Sequence, residues 1–66
     1  MKFSQNLKTL RDEYNLSQGK LADIVGTTFK TISHWETGYT EPSIEQLIIL
    51  ANFFDISIDE LVGRTK

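Results

Sequence analysis

A reactive centre needs a nucleophile, a base or a metal ligand set beside its partners. This chain of 66 residues has no cysteine and one histidine, His34. A lone imidazole lacks the partners that a metal site or a proton relay requires. Glu36, Glu41 and Glu45 fall across a helix end and a loop, with no serine–histidine–acid set around them. No glycine-rich phosphate loop is present either. The polar side chains suited to contact are instead concentrated in one stretch: Gln18, Thr28, Lys30, Ser33 and His34, with Phe29 among them. Non-covalent recognition is the chemistry this supports. No enzyme, no cofactor and no metal are expected.

Composition narrows the class further. A chain of this size supports one domain over residues 1–66, burying only about 60% of its unfolded surface. Without cysteine there is no disulfide framework. No apolar run approaches the roughly 18 residues that span a membrane, and Met1-Lys2-Phe3-Ser4-Gln5-Asn6 is too polar to open a secretory signal. A cytoplasmic protein with no membrane partner is expected. The net charge of −2 argues at first against a nucleic-acid partner. Its distribution softens that. Residues 1–35 carry five basic and three acidic side chains, net +2, and residues 36–66 carry two basic and six acidic ones, net −4. One positive half suits a protein that meets phosphate with one face only.

The elements that must position these residues are helices. Phe3, Leu7, Leu10 and Tyr14 recur at helical spacing and predict a first helix over about Ser4 to Tyr14. Ser17 caps a second with Leu21, Ala22 and Val25 inward, and Gly26 closes it. Thr27 or Thr28 caps a third, with Ile32 and Trp35 inward and Gly38 as its stop. Ser43 with Gln46 reads as a capping box opening a fourth, to about Phe54, with Ile44, Leu47, Ile48, Ala51 and Phe54 on one side. Ser57 with Glu60 is a second box, opening a short helix of Ile58, Leu61 and Val62 that Gly63 ends. No segment sustains period-2 alternation. The fold class is all-α, five short helices around one core.

Residues 16–38 carry the functional signal. Two short helices are separated by a turn containing Gly26, and small Ala22 sits where they must cross closely. Phe29 and Lys30 fall at the outer N-terminal end of the third helix, although the spacing of Phe29 from Ile32 also permits a core position. This is the construction of a helix-turn-helix, whose second helix offers its first residues to the major groove.

The pattern Leu16-Ser17-Gln18-x-x-Leu21-Ala22-x-x-Val25-Gly26, then Ile32-Ser33-x-Trp35-Glu36-x-Gly38 and Pro42-Ser43, resembles the phage repressor and Cro family of XRE-like transcriptional regulators. Ile56-Ser57-Ile58-Asp59-Glu60-Leu61 resembles the last helix of that family. The resemblance implies a lambda-repressor-like domain that binds double-stranded operator DNA in a sequence-specific way, as a repressor and as a homodimer. By position it makes Phe29, Lys30, Ser33 and His34 base readers. A phenylalanine there can pack on a thymine methyl, and a lysine can donate to guanine O6 or N7. Phe29 departs from the polar glutamine or serine that relatives often carry. For Lys30 a phosphate contact, and for His34 a solvated helix surface, are the alternatives. Gln18, Thr28, Tyr39 and Thr40 become phosphate contacts. For Gln18 the alternative is an ordinary solvated residue, and for Thr28 a helix cap, which does not exclude contact. Arg11 and Glu36 resemble the family's structural ion pair, against the alternative of two independent surface charges. Trp35 is read as core. Glu41 stands where several relatives are basic, which implies few phosphate contacts and weak non-specific binding.

Ile49 and Phe53 lie four apart on the fourth helix, expected to face away from its inward side. They are candidates for a dimer surface, the alternative being cover for the last helix. The competing functional class is a protein-interaction module of the same fold, an antitoxin or a regulatory inhibitor.

Overall fold

The computed structural model describes residues 2–63. They form α1 (Phe3–Glu13), α2 (Gln18–Val25), α3 (Phe29–Thr37), α4 (Ile44–Phe54) and α5 (Ile58–Val62), with no strand among the described residues. The first backbone N–H groups of a helix have no partner within it. Four of the five helices solve this with a hydroxyl. Ser17 accepts from the Lys20 N–H, Thr28 from Thr31, Ser43 from Gln46 and Ser57 from Glu60. At Ser43 and Ser57 the glutamine or glutamate side chain bonds back, completing both capping boxes. Thr28, not Thr27, is the α3 cap.

α1 has no side-chain cap. Its entry is fixed from a distance instead. The Lys2 N–H donates to the Val62 carbonyl at 3.0 Å, and the Asn6 amide donates to the carbonyls of Glu60 and Leu61 at 3.2 Å each. These bonds serve the C-terminal carbonyls of α5, of which that of Glu60 also accepts from the Gly63 N–H at 3.2 Å, and lock it against α1. The Ser4 hydroxyl donates to the Trp35 carbonyl at 2.6 Å, tying α1 to α3.

The core draws on every helix: Phe3 and Leu7, then Leu21, Ala22 and Val25, then Ile32 and Trp35, then Leu50, Ala51 and Phe54, and finally Leu61 and Val62. Trp35 stands edge-on to Phe3, with ring centroids 6.3 Å apart.

Two expectations need correction. α1 ends one residue early, and Tyr14, expected as its last residue, is its half-exposed C-cap. Its ring packs edge-on to Phe54 at 5.0 Å while its hydroxyl donates to the Phe54 carbonyl at 3.2 Å. On α4 the inward set is Leu47, Leu50, Ala51 and Phe54. Ile44 and Ile48, expected inside, are 76% and 44% exposed, while Leu50 is fully buried. Leu50 falls one helical step from both Leu47 and Phe54 and continues their stripe. Ile44 and Ile48 fall off its edge.

Candidate nucleic-acid interface

Recognition by a helix requires that one end of it be presented rigidly and unobstructed. The turn between α2 and α3 does this. The Ala22 carbonyl accepts from both the Gly26 and the Thr27 N–H, at 2.8 and 2.9 Å. Gly26 takes φ 84°, a left-handed conformation that costs a residue with a Cβ about 1–2 kcal/mol. Ala22 is buried, so its methyl lets α2 and α3 approach closely.

Ile32 and Trp35 anchor α3 into the core. At about 100° per residue, Phe29, Ser33, Thr37, Lys30 and His34 then share the opposite half of the helix. Phe29, Lys30 and Thr37 are exposed, and Ser33 and His34 are partly covered. All four residues expected to meet bases therefore stand on one solvent-facing surface. Phe29 is 63% exposed, so the alternative of a core phenylalanine is excluded.

The loop after α3 folds back beside this face. The Tyr39 and Thr40 N–H groups donate to the His34 carbonyl at 2.9 and 3.4 Å. The Tyr39 ring lies 4.8 Å from the His34 imidazole, centroid to centroid, tilted 58°. Tyr39, Thr40 and Glu41 are exposed. Sequence reasoning did not anticipate the His34–Tyr39 pairing, although an aromatic residue just past a helix-ending glycine is the signal that would suggest it. Thr28 sits exposed at the α3 entrance, its hydroxyl already serving as the cap.

Behind the surface lies an ion pair. The Arg11 guanidinium donates to Glu36 through Nε at 2.7 Å and Nη2 at 3.1 Å, and through Nη1 to the Leu16 carbonyl at 2.8 Å. The two side chains are only 13% and 5% exposed, so this is not a pair of independent surface charges. Arg11 is held protonated more firmly than a free arginine, first by its hydrogen bond to Glu36, and then by the attraction of Glu36 and Asp12, against the opposing effect of burial. Gln18 joins this network. Its Nε2 donates to Glu36 Oε1 at 3.1 Å. The alternative of a freely solvated Gln18 is therefore wrong: Glu36 gives its amide a fixed anchor.

Ile49 and Phe53 are both partly exposed on α4. Phe53 also packs against Tyr14 and Phe54, at 6.0 and 5.0 Å between centroids, so it covers its neighbours as well as facing out. With Ile44 and Ile48 also outside, α4 presents two apolar strips, where one was expected. No group of three or more potential metal ligands occurs among the described residues, and no helix is long and apolar enough to cross a membrane.

The sequence and the fold are similar to those of known proteins. A helix-turn-helix family model matches residues 7–61. The HTH-type transcriptional regulator AnsR of Bacillus subtilis is 43% identical over 60 residues, covering 91% of this chain and 52% of AnsR. The chain spans about half the length of this curated relative. The crystal structure of a transcriptional regulator from Listeria innocua has a TM-score of 0.93 at 39% identity, over 97% of this chain and 60% of that one. The P22 c2 repressor, solved in complex with a synthetic operator, has a TM-score of 0.88 at 28% identity, over 96% of both chains. Matched along most of its sequence, and similar in fold to a transcriptional regulator and a repressor, this chain belongs to the helix-turn-helix family.

Proposed function

We propose that this chain forms one sequence-specific double-stranded DNA-binding domain and acts as a cytoplasmic transcriptional repressor, not an enzyme. The observation that carries this reading is the uninterrupted outer face of α3, held from behind by Ile32 and Trp35. Its support is the likeness, over 96% of both chains, to a repressor solved on its operator. In this reading Phe29, Lys30, Ser33 and His34 meet base edges in the major groove. Gln18, Thr28, Tyr39 and Thr40 hold the phosphates on either side. The Arg11–Glu36 pair fixes the angle of α3 against α1. Two copies pair through α4 around Ile49 and Phe53, setting half-sites roughly 34 Å apart.

Phosphate attraction is modest. Lys20 and Lys30 are exposed on α2 and α3, while Glu41 is exposed in the following loop. With about −0.9 in the log–log salt slope for each phosphate neutralised, Lys20 gives a slope of about −1 per bound copy, since Lys30 is directed at base edges. Selection of bound sequences from a random duplex pool, followed by gel shifts at graded salt, tests the reading. A recovered two-fold-symmetric site bound with this shallow slope is expected. No shift on any duplex, even at low salt, would leave a protein-interaction module as the function.

A further inference from the structure

We infer that Phe29 makes this protein a reader of the C5-methyl group of a pyrimidine, so that its operator carries thymine, or equally 5-methylcytosine, at the base facing the start of α3. The inference rests on the DNA-binding reading above and deepens it.

Phe29 is the first residue of α3, directly after its cap. It is the one phenylalanine without an aromatic partner among the described residues: Phe3 meets Trp35, and Phe53 and Phe54 meet Tyr14 and each other. Its ring is 63% exposed, so it contributes little to the core. The cap beneath it is the Thr31 N–H donating to the Thr28 hydroxyl at 3.3 Å, and does not involve the ring. Nothing among the described residues thus accounts for a large apolar side chain at this position.

What such a ring can recognise in a major groove is limited. It has no hydrogen-bond donor or acceptor and cannot distinguish adenine N6 from guanine O6. The apolar group that duplex DNA presents there is the methyl on C5 of thymine. Cytosine bears hydrogen at the same carbon, and 5-methylcytosine places a methyl at the same point in the groove. Phe29 should therefore respond to the methyl and be indifferent to the amino-for-keto exchange beside it. Lys30, next on the same face, is a pure donor and complements guanine O6 and N7. The chemistry of this face suits a methylated pyrimidine close to a guanine.

The test starts from the duplex recovered from the random pool. Each thymidine is replaced in turn by deoxyuridine, which removes only the methyl. At one position per half-site, loss of the methyl contact should weaken binding about fourfold, from about 0.8 kcal/mol per buried carbon group. Cytosine at that position should bind as weakly as uracil, and 5-methylcytosine should restore affinity. Phe29→Ala should bind the thymine and uracil duplexes alike, with an unchanged melting temperature because the ring lies outside the core. Equal binding of wild-type protein to every uracil-substituted duplex would overturn the inference while leaving the DNA-binding reading intact. So would a Phe29→Ala variant that still discriminates thymine from uracil. Failure to recover any preferred duplex would overturn the DNA-binding reading itself.

Discussion

The Gln18 amide donates to the carboxylate of Glu36, across the gap between the first turn of α2 and the end of α3, at 3.1 Å. The same carboxylate oxygen accepts from Arg11 Nη2. One side chain, 5% exposed, thereby joins three helices. Removing one partner of a buried pair leaves a charge without compensation, at about 3–5 kcal/mol. Glu36→Gln should cost about 3 kcal/mol, near the lower end because Arg11 keeps some access to water. Urea unfolding measures it. A loss below about 0.5 kcal/mol would place the pair with ordinary surface bridges.

Reading and holding separate at Lys30 and Gln18. Lys30→Ala should cost about 1–3 kcal/mol on the best site and relax preference at one or two base pairs. Gln18→Ala should weaken good and poor sites by similar factors, since a phosphate contact carries no direct sequence information. The two differ in stability as well. Lys30 is exposed on α3, whereas Gln18→Ala forfeits a hydrogen bond to Glu36, about 1 kcal/mol. Binding profiles across a randomised operator, with melting curves of the free proteins, check both halves. If Lys30→Ala weakens all sites equally, α3 is not docked as proposed.

Assembly can be assigned to one of the two apolar strips on α4. Phe53→Glu should weaken self-association and cooperative binding to a two-half-site duplex. Ile48→Glu, on the other strip, should leave both unchanged. Sedimentation supplies the comparison. Phe53 also packs on Tyr14 and Phe54, so its variant must be shown folded by circular dichroism. The opposite ranking would move the dimer contact to Ile44 and Ile48.

A stabilising change is available at Asp55. This residue closes α4 at φ 57°, ψ 47°, the left-handed region, and puts a negative charge on a helix C-terminus. Both features are unfavourable. Asp55→Asn should gain about 0.3–1 kcal/mol by removing the charge. Asp55→Gly also relieves the backbone, partly offset by the greater freedom of an unfolded glycine. A net gain of about 1 kcal/mol raises the melting temperature of a domain this size by about 4–8 °C. Calorimetry should rank glycine above asparagine above aspartate.

What could be read from the sequence was mainly local. Ser17, Ser43 and Ser57 act on backbone groups three residues away, so their pattern is visible within a four-residue window. The inward face of α4 was not legible in the same way. Ile44, Leu47, Ile48, Ile49, Leu50 and Ala51 surround most of the helix with apolar side chains, and such a helix has periodicity without a clear phase. Packing against the other helices selects Leu50 over Ile48. The bonds that join the ends of the domain were invisible for a different reason. Asn6 reaches carbonyls 54 and 55 residues away, and Tyr14 one 40 residues away. Nothing near Asn6 or Tyr14 in sequence marks a partner so remote. At the interface, the order of residues along α3 was enough to place Lys30 outside, because Ile32 and Trp35 fix the rotation of that helix, whereas the spacing of Phe29 from Ile32 permitted either side and only the fold shows it exposed. The tether of Gln18 to Glu36 required the fold.

Trp35 is the sole tryptophan, 2% exposed and edge-on to Phe3, on the side of α3 turned away from the outer face. Its fluorescence excited at the red edge therefore comes from a single, dry site behind the reading surface. Emission should shift to longer wavelength when the core opens and stay nearly constant when a duplex settles against Phe29 and Lys30. The protein thus carries a built-in optical gauge of its own integrity, with which a variant that cannot bind is told apart, in the same cuvette, from one that cannot fold.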